Sequence, residues 1–133
     1  MRILICGDRN WKDYDSIYSY IQTLNKDNTI IHGKANGADK LAGHAAVSLG
    51  ILNIEEYPAN WIKYGKAAGV IRNQQMLNEG NPNLVVFFHN DLLNSKGTKD
   101  MISRSLKSII PVLNGHTREF ITNIKDVVDI FQV

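Results

Sequence analysis

The sequence predicts a single α/β domain of 133 residues, with a mainly parallel five-stranded sheet flanked by helices on both faces. Two observations carry this prediction. Short apolar runs alternate with segments of helical periodicity along the whole chain, which is typical of repeated strand–helix–strand units. The runs are mostly continuous in their apolar character, as expected for strands covered on both sides. We therefore expect a Rossmann-like three-layer sandwich formed by residues 1–133 as one domain.

Five strands are predicted from the apolar runs, at residues 2–6, 29–32, 54–57, 84–89 and 109–113. Right-handed crossovers between parallel strands place every strand-to-helix loop along one edge of the sheet. Ligands bind at that edge in folds of this class, so functional residues are expected in the loops after the strands.

Helical spacing of apolar residues predicts the helices between these strands. The first begins after Asp13 and contains Asp15 in its first turn, where the helix dipole favours negative charge. A stripe of small residues from Ala38 predicts a second helix that lies close to the sheet and ends at Gly50. A third is expected at about 65–79 and a fourth at about 98–107.

The chain is expected to turn at Asn114 and Gly115 and to finish in one more helix. Thr122 is the candidate N-cap of that terminal helix. Its apolar face would consist of Ile124, Val127, Val128 and Phe131.

Composition excludes several functional classes. The formal net charge is only +2 and the basic residues are scattered, unlike the dense stripe of a duplex-binding protein. The single cysteine, Cys6, allows no internal disulfide, and the four histidines lack the spacing of metal ligands, so no metal or cofactor is expected. The absence of a signal-peptide pattern and of long apolar segments indicates a soluble, cytoplasmic protein without membrane partners.

The first two loops on the predicted binding edge contain residues suited to a phosphate-bearing ligand. After the first strand, Gly7 permits close approach, Arg9 can pair with phosphate, and Trp11 offers a flat surface to a base or sugar. After the second strand, Gly33 and Gly37 lead into a helix whose N-terminal amides suit an anion, and Asp39 would lie near ribose hydroxyls. Each loop by itself is equally well explained as a tight turn.

The next two segments add charge and further amides. The third helix is predicted to begin near Lys66, and Gly69, Arg72, Asn73 and Met76 then fall on neighbouring faces at spacings of three or four residues. A glycine in the middle of a helix costs about 1 kcal/mol relative to alanine, so Gly69 indicates close approach by a ligand or another backbone. Gly97 and Thr98 stand at the start of the fourth helix and could offer N–H groups and a hydroxyl to phosphate, with Thr98 doubling as N-cap.

Taken together, these blocks resemble the YspA-like family of the SLOG superfamily, which includes the DprA and lonely-guy proteins. The resemblance covers about residues 1–113 and is most specific over residues 65–76. The blocks that carry it are Gly7-Asp8-Arg9, His32-Gly33, Gly37-Ala38-Asp39, Trp61, Gly65 to Gly69, Arg72-Asn73, Met76 and Gly97 to Met101.

The resemblance implies a Rossmann-like domain that binds a nucleotide or nucleotide-derived molecule as a sensor or processing domain, and homodimers are common among such relatives. Lonely-guy enzymes cleave the N-glycosidic bond of nucleoside monophosphates with an Arg and a Glu beside a PGGxGTxxE loop. Arg72 and Gly97-Thr98 match part of that pattern. The Pro-Gly-Gly is absent and Met101 replaces the Glu, while Asp100 is rotated by about 100° on a helix.

Three functional hypotheses follow. The first is nucleotide binding, with phosphate held by the Gly33, Gly37, Gly97 and Thr98 loops and its charge balanced by Lys66 and Arg72. The second is hydrolysis or transfer at a glycosidic or phosphoester bond, with Asp39 or Asp100 as the catalytic carboxylate and Arg72 stabilising charge. The third is single-stranded nucleic-acid binding of the DprA type, with phosphate contacts and stacking. Its residues would be Arg9, Trp11, Lys34, Trp61 and Lys63.

Overall fold

The central sheet contains six strands in a computed structural model that describes residues 1–122. The strands lie in the order β3-β2-β1-β4-β5-β6, and only β6 is antiparallel, to β5. The α/β class and the mainly parallel sheet are therefore confirmed. The strands are β1 (Arg2–Gly7), β2 (Thr29–His32), β3 (Asn53–Glu56), β4 (Leu84–Phe88), β5 (Val112–Asn114) and β6 (Phe120–Ile121).

Two strand predictions need correction. The sixth strand has only two residues and so carries no periodic signal that a sequence pattern could detect. The predicted start of the fifth strand at Ile109 is wrong, because Ile109 has a left-handed φ of 59° and lies in the turn that ends the preceding helix. The apolar run begins there, but β5 itself begins only at Val112.

Within residues 1–122, four α-helices accompany the sheet, as predicted, and a fifth, single-turn α-helix (α3) precedes the third of them. They are α1 (Tyr14–Gln22), α2 (Ala38–Ser48), α3 (Trp61–Tyr64), α4 (Ala68–Gln75) and α5 (Gly97–Lys107). The Asp13 side chain caps α1 by accepting from the Ser16 N–H at 3.2 Å, which agrees with the predicted start. The predicted third helix, at about 65–79, is wrong only at its start, where a 3₁₀ turn (Gly65–Ala67) separates α3 from α4. A π-helical turn (Met76–Gly80) follows α4.

Alternating side chains of β1 divide the core into two layers. Ile3 and Ile5 pack with α1 and α2 on one face, whereas Leu4 packs on the other face with Met76 and Met101. Each face of the sheet is thereby covered, which explains why the central strands β1 and β4 are almost wholly apolar.

The order of the strands also fixes where loops can meet. The chain moves outward from β1 to β2 and β3, then returns to place β4 on the other side of β1. Such a reversal opens a crevice at the carboxyl ends of the strands. The turn at Asn114 is present, with the Asn114 side chain accepting from two following N–H groups. The predicted terminal helix after Thr122 lies outside the described residues.

Between residues 1 and 122, no helix combines the length and apolar character needed to cross a bilayer.

Candidate functional site at the carboxyl edge of the sheet

The loops that the sequence singles out meet at the carboxyl edge of the sheet. Gly37 lies directly against the first loop, since a Cβ on it would be 2.3 Å from the carbonyl oxygen of Asp8. At the other end of the same loop, Gly33 lies against the Arg72 guanidinium, where a Cβ would be 2.3 Å from Nη1. Residues 33–37 therefore connect two neighbouring regions of the edge.

The first region is a hydrogen-bonded set of polar groups between β2, α4 and α5, which we call the arginine network. Arg72 donates through Nη1 to the carbonyl oxygens of Gly33 (2.5 Å) and Tyr57 (3.4 Å). Its Nε donates to Oδ1 of Asn73 at 3.3 Å. The members of the network are Gly33, Asp39, Arg72, Asn73, Gly97 and Asp100.

Asp39 is the buried carboxylate of this network. Its Oδ2 accepts from the N–H groups of Gly33 (3.1 Å) and Ala35 (3.3 Å). Burial raises the pKa of Asp39 to about 6, and the nearby Arg72 charge and these two hydrogen bonds oppose that rise. The expectation that the Gly33 loop offers its amide to phosphate is therefore wrong for this conformation, because Asp39 already occupies it.

Asn73 and Asp100 join the network to the start of α5. The Asn73 amide donates from Nδ2 to the Gly97 carbonyl and to Oδ2 of Asp100, both at 3.1 Å. Asp100 also accepts from Nε of Arg104, at 3.0 and 2.9 Å for its two oxygens. Met101 is completely buried, so the position that holds glutamate in the lonely-guy motif points into the core.

Ser95, which sequence reasoning missed, caps α5. Its Oγ accepts from the N–H groups of Thr98 (3.1 Å) and Lys99 (3.3 Å). Thr98 is buried and is the second residue of α5, so the expectation that it is the N-cap is wrong. The Thr98 amide is occupied by this bond, whereas a Cβ on Gly97 would meet open space.

The second region is an open groove beside the start of α2, with a volume of about 310 Å³, which we call the cationic groove. None of the described residues that line it is acidic. The Arg9 side chain is exposed and forms no hydrogen bond or ion pair with residues 1–122. Lys40 donates to Oδ1 of Asn36 at 2.9 Å. The lining residues are Arg9, Asn10, Trp11, Lys12, Gly37, Lys40, Leu41 and His44.

Lys40 and His44 were not among the predicted site residues. Lys40 and Leu41 follow Gly37 by three and four positions, and His44 follows them by four and three, so the four residues share one face at the start of α2. That spacing is visible in the sequence and would have identified them once Gly37 was placed at the binding edge.

Trp11 lies in the core beneath this groove. Only 7% of its surface is exposed, and its ring packs edge-on against Phe88 and His116. The indole N–H donates to the carbonyl of Asp13 at 2.9 Å. The expectation of a flat surface open to a base is therefore wrong, because the ring is buried in the hydrophobic core.

Gly7, Lys66 and Gly69 complete the predicted set. A Cβ on Gly7 would lie 2.2 Å from the Phe88 carbonyl oxygen, so this glycine is required by the approach of β4. Lys66 is exposed in the 3₁₀ turn. A Cβ on Gly69 would meet only the Trp61 ring, at an ordinary 3.6 Å, so no packing among the described residues demands glycine there.

The residues proposed for single-stranded nucleic acid do not form a continuous surface of free groups. Lys34 lies 3.7 Å from a carboxylate oxygen of Glu56, and Lys63 rests over the Tyr64 ring. In residues 1–122, no cluster of three or more His, Cys, Asp or Glu side chains is arranged to hold a metal ion.

Comparisons with known proteins identify relatives of this chain. The profile of the YspA, cpYpsA-related SLOG family matches residues 1–64. The Gene 61 protein of Mycobacterium phage D29 is 32% identical over 121 residues, which cover 85% of this chain and 94% of that protein. No solved structure matches the chain significantly.

Proposed function

The chain belongs to the YspA, cpYpsA-related SLOG family, and from this premise we propose that it binds a nucleotide or nucleotide-derived ligand at the carboxyl edge of its sheet. The observation that carries the proposal is the cationic groove, where basic side chains gather with no acidic residue among the described lining. A free Arg9 side chain beside a helix N-terminus is suited to an anionic phosphate.

The proposal places phosphate in the groove, between Arg9 and the start of α2. Lys40 can move from its exposed bond with Asn36 to the ligand at little cost, since that bond is solvent-accessible. The remainder of the ligand would extend along residues 33–37 toward Arg72, whose Nη2 forms no hydrogen bond within residues 1–122.

The test is isothermal titration calorimetry with AMP and ADP-ribose on the wild-type chain and on the double variant R9A/K40A. Each lost charge-assisted hydrogen bond is worth about 1.5–3 kcal/mol, so the double variant is expected to bind at least about tenfold more weakly. Lys107→Ala is the matched control, because this exposed cation ends α5 at the opposite edge of the sheet. Equal affinity in wild type and double variant would contradict the proposed phosphate position.

A second candidate function is hydrolysis of a glycosidic or phosphoester bond in such a ligand. The observation that favours it is Asp39, since a carboxyl with a pKa of about 6 can act as a general acid or base near neutral pH. Arg72 beside it would stabilise developing negative charge.

Chromatography of AMP or ADP-ribose after incubation tests this candidate by detecting released adenine, AMP or ribose phosphates. Asp39→Asn is expected to abolish product formation while binding persists. Asp100→Asn is the comparison variant, since its carboxylate is held by Arg104. Absence of product from the wild type, or full turnover by Asp39→Asn, would remove the candidate.

A further inference from the structure

The two tryptophans of this chain have opposite environments. Trp11 is only 7% exposed, whereas Trp61 is 59% exposed. Indole rings carry a large apolar surface and are normally buried or in contact with a partner. The exposed ring of Trp61 therefore calls for an explanation that the core does not supply.

Trp61 belongs to a helical turn that hydrophobic burial does not hold in place. All four residues of α3 are exposed, and Ile62 is fully so. The turn begins with the Asn60 side chain accepting from the Lys63 N–H at 3.0 Å and ends at Gly65, whose φ is +56°. Because α3 follows β3, this local capping presents Trp61 near the carboxyl edge of the sheet.

Beside the indole lies a bare helix surface that leads to the arginine network. The Trp61 ring approaches Gly69 in α4, and alanine would fit there at ordinary contact distance. Glycine in this helix costs about 1 kcal/mol relative to alanine and leaves the surface next to the ring without a side chain. Arg72 follows three residues later, so its guanidinium is within one helical turn of this surface.

We propose that Trp61 stacks on the base of the nucleotide, in the role that the sequence alone would give to Trp11. This inference rests on the proposed function and specifies it, since it assigns an aromatic heterocycle to the bound ligand. Stacking on an indole tolerates different bases, because each base has a π-face.

The experiment compares a ligand with a base and a ligand without one, AMP and ribose 5-phosphate, on wild type and Trp61→Ala. Calorimetry is expected to show AMP affinity reduced on the order of 5- to 150-fold in the variant and ribose 5-phosphate affinity unchanged. Trp61→Phe is expected to retain most of the AMP affinity. Ile62→Ala, which removes a fully exposed apolar side chain from the same turn, is the matched control.

Tryptophan fluorescence supplies a readout that needs no destabilising substitution. AMP is expected to quench the emission of the exposed Trp61 in the wild type, and Trp61→Phe, which keeps only the buried Trp11, should lose that response.

The outcomes separate the two proposals. If the wild type binds neither AMP nor ADP-ribose, the proposed function fails. If AMP binds equally well to wild type and Trp61→Ala, without quenching, only the role of Trp61 is overturned. A change in oligomeric state of Trp61→Ala, measured by light scattering, with unchanged AMP affinity would overturn it as well and assign the ring to a subunit contact.

Discussion

The arginine network and the cationic groove lie at the two ends of residues 33–37, yet their charged side chains differ in burial and in hydrogen bonding. In the network, Arg72 and Asp39 are bonded to backbone groups, and the Asp39 carboxylate is buried. In the groove, Arg9 is exposed and has no partner within residues 1–122. A buried polar group without a hydrogen-bond partner destabilises the fold, whereas an exposed cation is solvated by water and remains available to a ligand.

This difference indicates that the two ends of the loop have different roles, one in stability and one in ligand binding. The network holds the Gly33 end of the loop in a fixed conformation, so its loss should appear first in stability. The groove contributes little to folding, so its loss should appear in binding. The comparison can therefore be tested with variants that change the unfolding free energy without changing ligand affinity, or the reverse.

The largest effect is expected for Gly37→Ala, which acts where the two regions join. The φ of +75° at Gly37 disfavours a side chain by about 2 kcal/mol. A Cβ would also overlap the Asp8 and Arg9 backbone, at about 2 kcal/mol more. Urea unfolding should therefore show a loss of about 4 kcal/mol.

Gly97→Ala is the matched control for Gly37→Ala. It lies in the first turn of α5, where a Cβ meets open space, and alanine favours a helix. Its unfolding free energy should stay unchanged or rise. Similar losses in the two variants would show that the packing of Gly37 against the first loop does not fix residues 33–37.

The next largest effect is the pH dependence of stability, which tests whether the ionised Asp39 carboxylate destabilises the folded chain. The pKa of Asp39 is about 6 in the folded chain and 3.8 without burial, so the folded state retains the proton over this interval. Stability should thus fall as pH rises from about 4 to 6, by about 3 kcal/mol. As the pH falls well below 3.8, the carboxyl becomes protonated in both states and the effect vanishes.

The measurement compares urea unfolding of the wild type and Asp39→Asn between pH 4 and 7. Asparagine keeps an oxygen for the Gly33 and Ala35 amides but does not titrate, so the wild type should lose stability relative to the variant. Parallel pH profiles would show that Asp39 does not titrate differently in the folded chain.

The sequence predicts where the site lies better than it predicts which of its backbone amides and side chains are free to bind a ligand. The loops at Gly33 and Gly37 could be placed at one edge because parallel strands have their carboxyl ends on the same side. Which amides stay free could not be predicted, because Asp39 folds back onto Gly33 only through the turn at residues 33–37. Helical periodicity shows Asp39 in the first turn of α2 but not the direction of its side chain.

Burial explains the remaining misses. Trp11 lies in a loop that follows a strand and has the composition of a binding loop, but its ring packs against Phe88 in the core. At α5, Ser95 and Thr98 are both good capping residues, and the choice depends on the 3₁₀ turn (Leu92–Asn94) before them. Such competition between neighbours is decided by tertiary packing and not by residue type.

A smaller loss is expected when the guanidinium of the network is removed. Arg72→Ala leaves the Gly33 and Tyr57 carbonyls without this donor, at a cost of about 2 kcal/mol. It also removes the charge that lowers the pKa of Asp39, so the loss should be greater above pH 6 than at pH 4. Arg104→Ala, which breaks a partly exposed ion pair with Asp100, should cost only about 0.5 kcal/mol. Equal losses would mean that the network has no special share in stability.

The smallest effect on stability is expected in the groove. The double variant R9A/K40A removes two exposed side chains, one without a partner in residues 1–122 and one with a single exposed hydrogen bond. Its unfolding free energy should therefore change by less than about 0.5 kcal/mol. Urea unfolding of the same preparation that is used for calorimetry makes the result decisive, since unchanged stability assigns any loss of AMP affinity to the missing cations. A loss above about 1 kcal/mol would instead place these cations among the groups that hold the fold, and the distinction between the two ends of the loop would disappear.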